Sequence, residues 1–153
     1  MDADKRLQEL HLTLPTVSKP VHVYKPVVQV GNLLYVSGQI PINNDGSLVK
    51  GRLGEDFNLE QGRQAARQVG LTMLATIKSN LGTLNKIKRL VKTLGMVNSA
   101  PSFHDHPKVI NAFSELMKEV FGEDNGVGAR SAFGVAALPS NVAVEVEAIF
   151  EMM

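Results

Sequence analysis

One stretch near the C-terminus constrains this chain more than any other: Gly128-Ala-Arg-Ser-Ala-Phe-Gly-Val-Ala-Ala-Leu-Pro-Ser-Asn-Val-Ala-Val-Glu-Val-Glu147. Ala129 to Leu138 is apolar except at Arg130 and Ser131, Pro139-Ser140-Asn141 has turn chemistry, and Val142 to Phe150 alternates. Val142, Val144, Val146, Ala148 and Phe150 share one face, with Ala143, Glu145 and Glu147 on the other. The pattern predicts two strands joined by a short turn. An arginine opening one strand and a glutamate inside the next are poor core residues, because an unpaired buried charge is costly. Each therefore has a neutralising partner or faces a cleft that uses its charge. In a tight hairpin about Ser140, Arg130 lies opposite residue 150 and Glu145 opposite residue 135. The two charges are then offset by about five residues, roughly 16 Å at strand rise. A single site using both lies between two subunits; otherwise they serve separate contacts.

The 153 residues predict one domain with a substantial core, preceded by an N-terminal extension of short helix and linker over residues 1–20. Sixteen Lys and Arg against fifteen Asp and Glu leave a net charge of +1, which gives no general attraction to nucleic acid or anionic membrane. With no cysteine there is neither a thiolate nucleophile nor a disulfide. The charged start, Met1-Asp-Ala-Asp-Lys-Arg6, lacks an apolar signal core, and no apolar run is long enough to span a bilayer. A soluble, cytoplasmic protein is expected.

Ala3 to Leu12 reads as a short helix capped by Asp2, and Pro15 and Pro20 bracket an extended linker. Val21 to Val30, with Pro26 marking an edge or bulge, forms a hairpin with Leu33 to Ile40 around Gly31-Asn32. A short strand is expected at Leu48 to Lys50. Asn58 caps a helix that runs to about Asn80 and ends at Gly82; its apolar stripe holds Ala65, Val69, Met73 and Ile77. Lys86 to Val97 reads as a strand, and Pro107 opens a second helix ending at Gly122. The order predicts an α+β fold: an antiparallel-rich mixed sheet with both helices on one face. The other face, assigned Arg130, Gly134, Ala136, Ala143 and Glu145, has no helix left to cover it, which points to a homo-oligomer with inward-facing sheets.

Arg130 can clamp a carboxylate through two parallel hydrogen bonds, or pair with an acid inside the fold. Glu145 can have a raised pKa and act as a general base toward water, or pair with a cation at a subunit contact; Glu147, on the same face, is its alternative. Tyr24, Ser37 and Asn111 are polar residues on apolar elements and can hydrogen-bond a ligand or the backbone. His104-Asp-His106 lacks a third metal ligand at useful spacing and reads as a capping or solvated loop. Gly122 to Gly128 precedes a strand and lacks the Lys-Ser/Thr ending of a phosphate loop. Lys86, Lys88, Arg89 and Lys92 read as a solvated basic face.

Val30-Gly-Asn-Leu-Leu-Tyr-Val-Ser-Gly-Gln-Ile-Pro41, Asn111 in the second helix, and Ala129-Arg-Ser131 through Leu138-Pro139 to Val144-Glu145 together resemble the RidA (YjgF) family of enamine/imine deaminases, over roughly residues 20–152. The resemblance implies a chorismate-mutase-like α+β fold, assembled as a homotrimeric barrel with helices outside and three clefts between subunits. It implies that Arg130 binds the substrate carboxylate and Glu145 activates water. Tyr24, Ser37, Gly38, Asn111 and backbone near Ala132 would line the pocket. The implied reaction converts a 2-imino acid to a 2-oxo acid and ammonia, with no metal or organic cofactor, and removes reactive imines that damage other enzymes. The alternative is a non-catalytic trimer that binds small carboxylates or regulates a partner. RNA cleavage is disfavoured by balanced charge and by only two Tyr and no Trp for base stacking. Chorismate mutase activity would rest on fold analogy alone. The chain departs from the family pattern at Ala132, where many members carry cysteine, at Gly128, where proline is common, at Lys25-Pro26, and in its N-terminal extension.

Overall fold

The computed structural model describes residues 2–153. Helix α1 (Ala3–Glu9) starts where the Asp2 side chain accepts from the Lys5 N–H at 2.9 Å. It buries Ala3 and Leu7, and its Arg6 donates through Nε to the Glu119 carbonyl at 2.9 Å. Strands β1 (Val27–Val30) and β2 (Leu33–Gln39) form the expected hairpin about Gly31-Asn32. Val21 to Pro26, expected to open β1, lie outside it, and residues 48–50 contribute only isolated bridges, Ile42 to Leu48 and Lys50 to Val142. Pro26 has no N–H to donate, so the first strand begins after it.

Helix α2 (Leu59–Leu81) begins in a capping box, where the Asn58 side chain and Gln61 satisfy each other's backbone N–H, and ends at Gly82 in the left-handed region, φ 84°. Helix α3 (His106–Phe121) starts with Pro107 in its first turn. Both pack on one face of the sheet and on each other, as the apolar stripes predict. Ile110 of α3 sits directly on Gly95 of β3 (Ile87–Asn98), and a side chain at position 95 would occupy the same space. Surface ion pairs Arg63–Glu115 at 2.8 Å and Arg67–Glu119 at 3.1 Å bridge the two helices. Exposed pairs of this kind contribute about 0–1 kcal/mol each. The buried apolar face therefore holds the layers together.

The sheet order is β1-β2-β5-β3-β4. This overturns the expected C-terminal hairpin. β4 (Ala129–Val135) runs parallel to β3, reached by the α3 crossover, while β5 (Val144–Met152) lies on the other side of β3 and is antiparallel to both β2 and β3. The residues predicted as a turn do turn, with Ser140 and Asn141 at φ 55° and 58°, but they return the chain across the sheet end rather than to the neighbouring strand. The assigned faces also change. Arg130 reaches α3, Gly134 lies against His106 and Ser99, and Ala143 is fully buried. Of the five residues assigned to the uncovered face, Glu145 is the one whose place there the β5 alternation supports. That face also exposes Tyr35 at 44% and Phe133 at 41%. No helix among the described residues is long and apolar enough to cross a membrane.

Candidate functional site

The residues proposed from sequence separate into two groups, with Arg130 pointing to the helix-covered face of the sheet and Glu145 to the other. The first is built on β4 and α3. Arg130 Nη1 donates to Asn111 Oδ1 at 2.8 Å and to Ser114 Oγ at 3.2 Å, and Nη2 donates to the Pro107 carbonyl at 3.4 Å. Every acceptor is neutral, and no carboxylate lies within 4 Å among the described residues. The side chain is thus oriented without being discharged, and the guanidinium remains positive at any physiological pH. A cavity of about 300 Å³ borders Arg130, Asn111, Ser114 and Gly128. Ala132, two residues on along β4, is partly buried against the core. β4 is an edge strand, so its outer backbone groups have no partner strand.

The second group surrounds Glu145. A cavity of about 600 Å³ is lined by Tyr24, Ser37, Gly38, Gln39, Thr76 and Glu145, among others. The pairing of β2 with β5 breaks register between Val36 and Gln39, and this irregularity carries Ser37 and Gly38. Such breaks re-aim side chains next to functional sites. Gly38 packs directly against the Glu145 carboxylate, in space that a Cβ would fill. Burial raises the Glu145 pKa above the ordinary carboxylate value, and the neighbouring Glu147 carboxylate adds to it. The Ser37 hydroxyl donates to the Lys25 carbonyl at 2.6 Å, and its N–H to the Pro26 carbonyl at 2.9 Å. Ser37 therefore ties down the segment that carries Tyr24. Tyr24 itself is 53% exposed and makes a wall of the cavity from outside any strand.

Register fixes the relation between the groups. Arg130 lies opposite Thr93, which lies opposite Ala148; Glu145 lies opposite Met96, which lies opposite Phe133. The two are three residues and two strand spacings apart, about 10 Å in each direction, and they point to opposite faces. One chain does not bring them together.

Three features escaped the sequence reading. Ser114 joins Asn111 as a second acceptor for Arg130; its spacing of three residues from Asn111 on one helix was the available signal. Gln39 and Thr76 form a buried pair at the cavity floor, with Thr76 Oγ1 donating to Gln39 Oε1 at 2.8 Å. His106, read as part of a capping or solvated loop, instead bonds Ser99 Oγ through Nε2 at 3.0 Å, and burial lowers its pKa with help from His104, against Asp105. Asp105 makes no side-chain cap. No group of three or more metal-ligating side chains occurs among the described residues. Of the basic run, Lys88 and Arg89 both engage Glu151, at 3.1 and 2.5 Å.

Residues 4–152 match the family model described as "YjgF/chorismate_mutase-like, putative endoribonuclease". The chain is 42% identical over 146 residues to Protein TCP17 of Trypanosoma cruzi, covering 95% of this chain and 91% of that one. It is 32% identical over 139 residues to a 2-iminobutanoate/2-iminopropanoate deaminase of Dermatophagoides farinae, covering 90% and 92%. A crystal structure from Shewanella oneidensis, titled a putative endoribonuclease, superposes with a TM-score of 0.93 at 31% identity, covering 99% of this chain and all of that one. The chain belongs to the YjgF/RidA family.

Proposed function

We propose that this protein hydrolyses 2-imino acids, or their enamine tautomers, to 2-oxo acids and ammonia, at sites shared between the subunits of a homotrimer. The observation that carries the reading is Glu145: a half-buried carboxylate with a raised pKa, lodged against backbone in a cavity that admits water and a small acid. A carboxylate in that state is closer to the ordinary operating pH and is suited to take a proton from water. The relative described as a 2-iminobutanoate/2-iminopropanoate deaminase supports the same chemistry.

Arg130 supplies the second half. Its charge has no acidic partner among the described residues, and its position on an edge strand suits a site completed by another copy. The exposed apolar groups of the uncovered sheet face, Tyr35 and Phe133 among them, support assembly through that face. In the assembled cleft Arg130 of one subunit holds the substrate carboxylate, with the β4 backbone at Ala132 beside it. Glu145 of the next subunit orients and deprotonates water for attack on the imine carbon. Glu145 returns that proton to the imine nitrogen, giving a carbinolamine; it then passes the hydroxyl proton to the nitrogen as the C–N bond breaks, releasing the 2-oxo acid and ammonia. Tyr24, Ser37 and Gly38 shape the wall around the reacting carbon. No redox step is involved, and the residues present can perform every proton transfer.

The test is competition with semicarbazide for imines made in situ by an amino-acid oxidase. Wild-type protein is expected to divert imine from the trap, while Arg130→Ala and Glu145→Gln do not, each eluting at the same assembly size. Trapping no slower than in buffer, for every imine, would leave the family's deaminase activity absent from this chain.

A further inference from the structure

The large cavity beside Glu145 is walled on one side by the segment that precedes β1. Val17, Lys19, Pro20 and His22 line it together with Tyr24 and Glu145. This segment is anchored at both ends. Pro15 is buried and Leu14 packs on the core. At the other end the Lys25 and Pro26 carbonyls accept from Ser37, beside the Gly38 that holds Glu145. Between the anchors the chain forms a strap across the cavity mouth, with no backbone pairing to the rest of the fold among its described hydrogen bonds.

The cavity lining carries one group of each charge. Among the described residues, Glu145 is its one acidic lining residue and Lys19 its one lysine or arginine. Lys19 makes no ion pair among the described residues. Burial and Glu147 set the direction of the Glu145 shift, and no cation contributes to it. Lys19 is not ion-paired with the water-activating carboxylate. Room is also available. An imine of six heavy atoms, at the roughly 30 Å³ that a water molecule occupies in the liquid, needs no more than about 180 Å³. The cavity measures about 600 Å³.

We propose that the strap is the specificity element of the site and that Lys19, with His22 as a neighbouring hydrogen-bond donor, receives a second anionic group. The preferred substrates are then 2-imino dicarboxylates of four or five carbons rather than short imines with neutral side chains. This rests on the deaminase reading above, in which Arg130 is already committed to the carboxylate next to the imine carbon. A second carboxylate needs a second cation, and Lys19 is the one that the cavity provides.

The experiment compares 2-iminoglutarate and 2-iminosuccinate with 2-iminopropanoate and 2-iminobutanoate, each generated in situ, on wild type, Lys19→Met and Lys19→Arg. Wild type is expected to favour the acidic imines at least tenfold in kcat/KM. Lys19→Met should erase that preference through KM, and Lys19→Arg should restore it. A wild-type preference for neutral imines, or an unchanged ratio in Lys19→Met, overturns the proposal. A parallel calorimetric titration with 2-oxoglutarate and 2-oxobutanoate separates this outcome from failure of the deaminase reading. If no imine is turned over, tighter binding of 2-oxoglutarate that Lys19→Met abolishes still supports the strap as an anion site. Equal binding of the two oxo acids refutes it.

Discussion

Arg130 and Glu145 are held in contrasting ways. Arg130 stands on the edge strand, oriented by side chains of one helix, Asn111 and Ser114, and by a carbonyl at that helix's first turn. Glu145 stands on the central strand and is confined by backbone at Gly38. On the proposed reading, the difference follows from what each group needs. A guanidinium is charged at every relevant pH, so an edge position with neutral hydrogen-bond acceptors is enough. A carboxylate becomes a useful base only when its environment raises its pKa, which requires burial, and burial is found at the middle of a sheet.

The sharpest test of this contrast is complementation. Removing a general base typically lowers the rate about 10²- to 10⁴-fold, and Arg130→Ala should abolish capture of the carboxylate. If the halves come from different subunits, unfolding and reassembling Arg130→Ala and Glu145→Gln together restores some intact sites. Random mixing of equal amounts gives about one quarter of wild-type activity in a cyclic trimer. Recovery of none would place both groups in one chain's site, contrary to the register. Gly38→Ala comes next. It forces a methyl against the Glu145 carboxylate and should lower stability by about 1–3 kcal/mol, read as a fall in Tm, with activity falling further than stability explains. Asn111→Ala is comparable in size but acts on substrate binding rather than on the fold. It removes a hydrogen bond to a charged group, a loss of about 1.5–3 kcal/mol, and should appear mainly in KM while Ser114 still holds the guanidinium.

The smallest effect concerns pH. Glu145 must be ionised to act as a base, so the rate should rise with pH through a midpoint above 4.5, the ordinary glutamate value. Glu147→Gln removes the second cause of the shift and should move that midpoint down. Stability has the opposite slope. The native state binds this proton more tightly than the unfolded state, so the Glu145 contribution to stability falls as pH rises from 4.5 through the raised pKa. Denaturant midpoints of Glu145→Gln should therefore exceed those of wild type by more at pH 7 than at pH 4.

Local patterns in the sequence were sufficient for the helices, because caps, stripes and terminators all act within a few residues: Asn58, Gly82, Pro107 and Gly122 each lie at the expected place. The C-terminal hairpin was misread for a related reason. Alternation in Val142 to Phe150 reports which residues are buried, and it carries no information about which strand lies alongside. The pairing is decided by the α3 crossover, which places β4 on one side of β3 and leaves the other for β5. Arg130 and Glu145 were legible as misplaced charges, and their separation was inferred from a pairing that does not occur; the true register separates them as well. Gln39 and Thr76 were hidden because each reads as an ordinary polar position until the register break turns β2 toward α2.

The sheet order has a consequence for how the molecule comes into being. β5, last of the five strands in sequence, is the middle strand, hydrogen-bonded to β2 on one side and β3 on the other. A chain emerging from the ribosome can form α2 early, since helical contacts are local. It has no continuous sheet until residues 144–152 are available. Until then β2 and β3 each present an open edge, the kind of surface that recruits the wrong partner. Completion of the sheet is thus a late event, and substitutions that slow the docking of β5 should reduce soluble yield during synthesis even where the finished protein tolerates them.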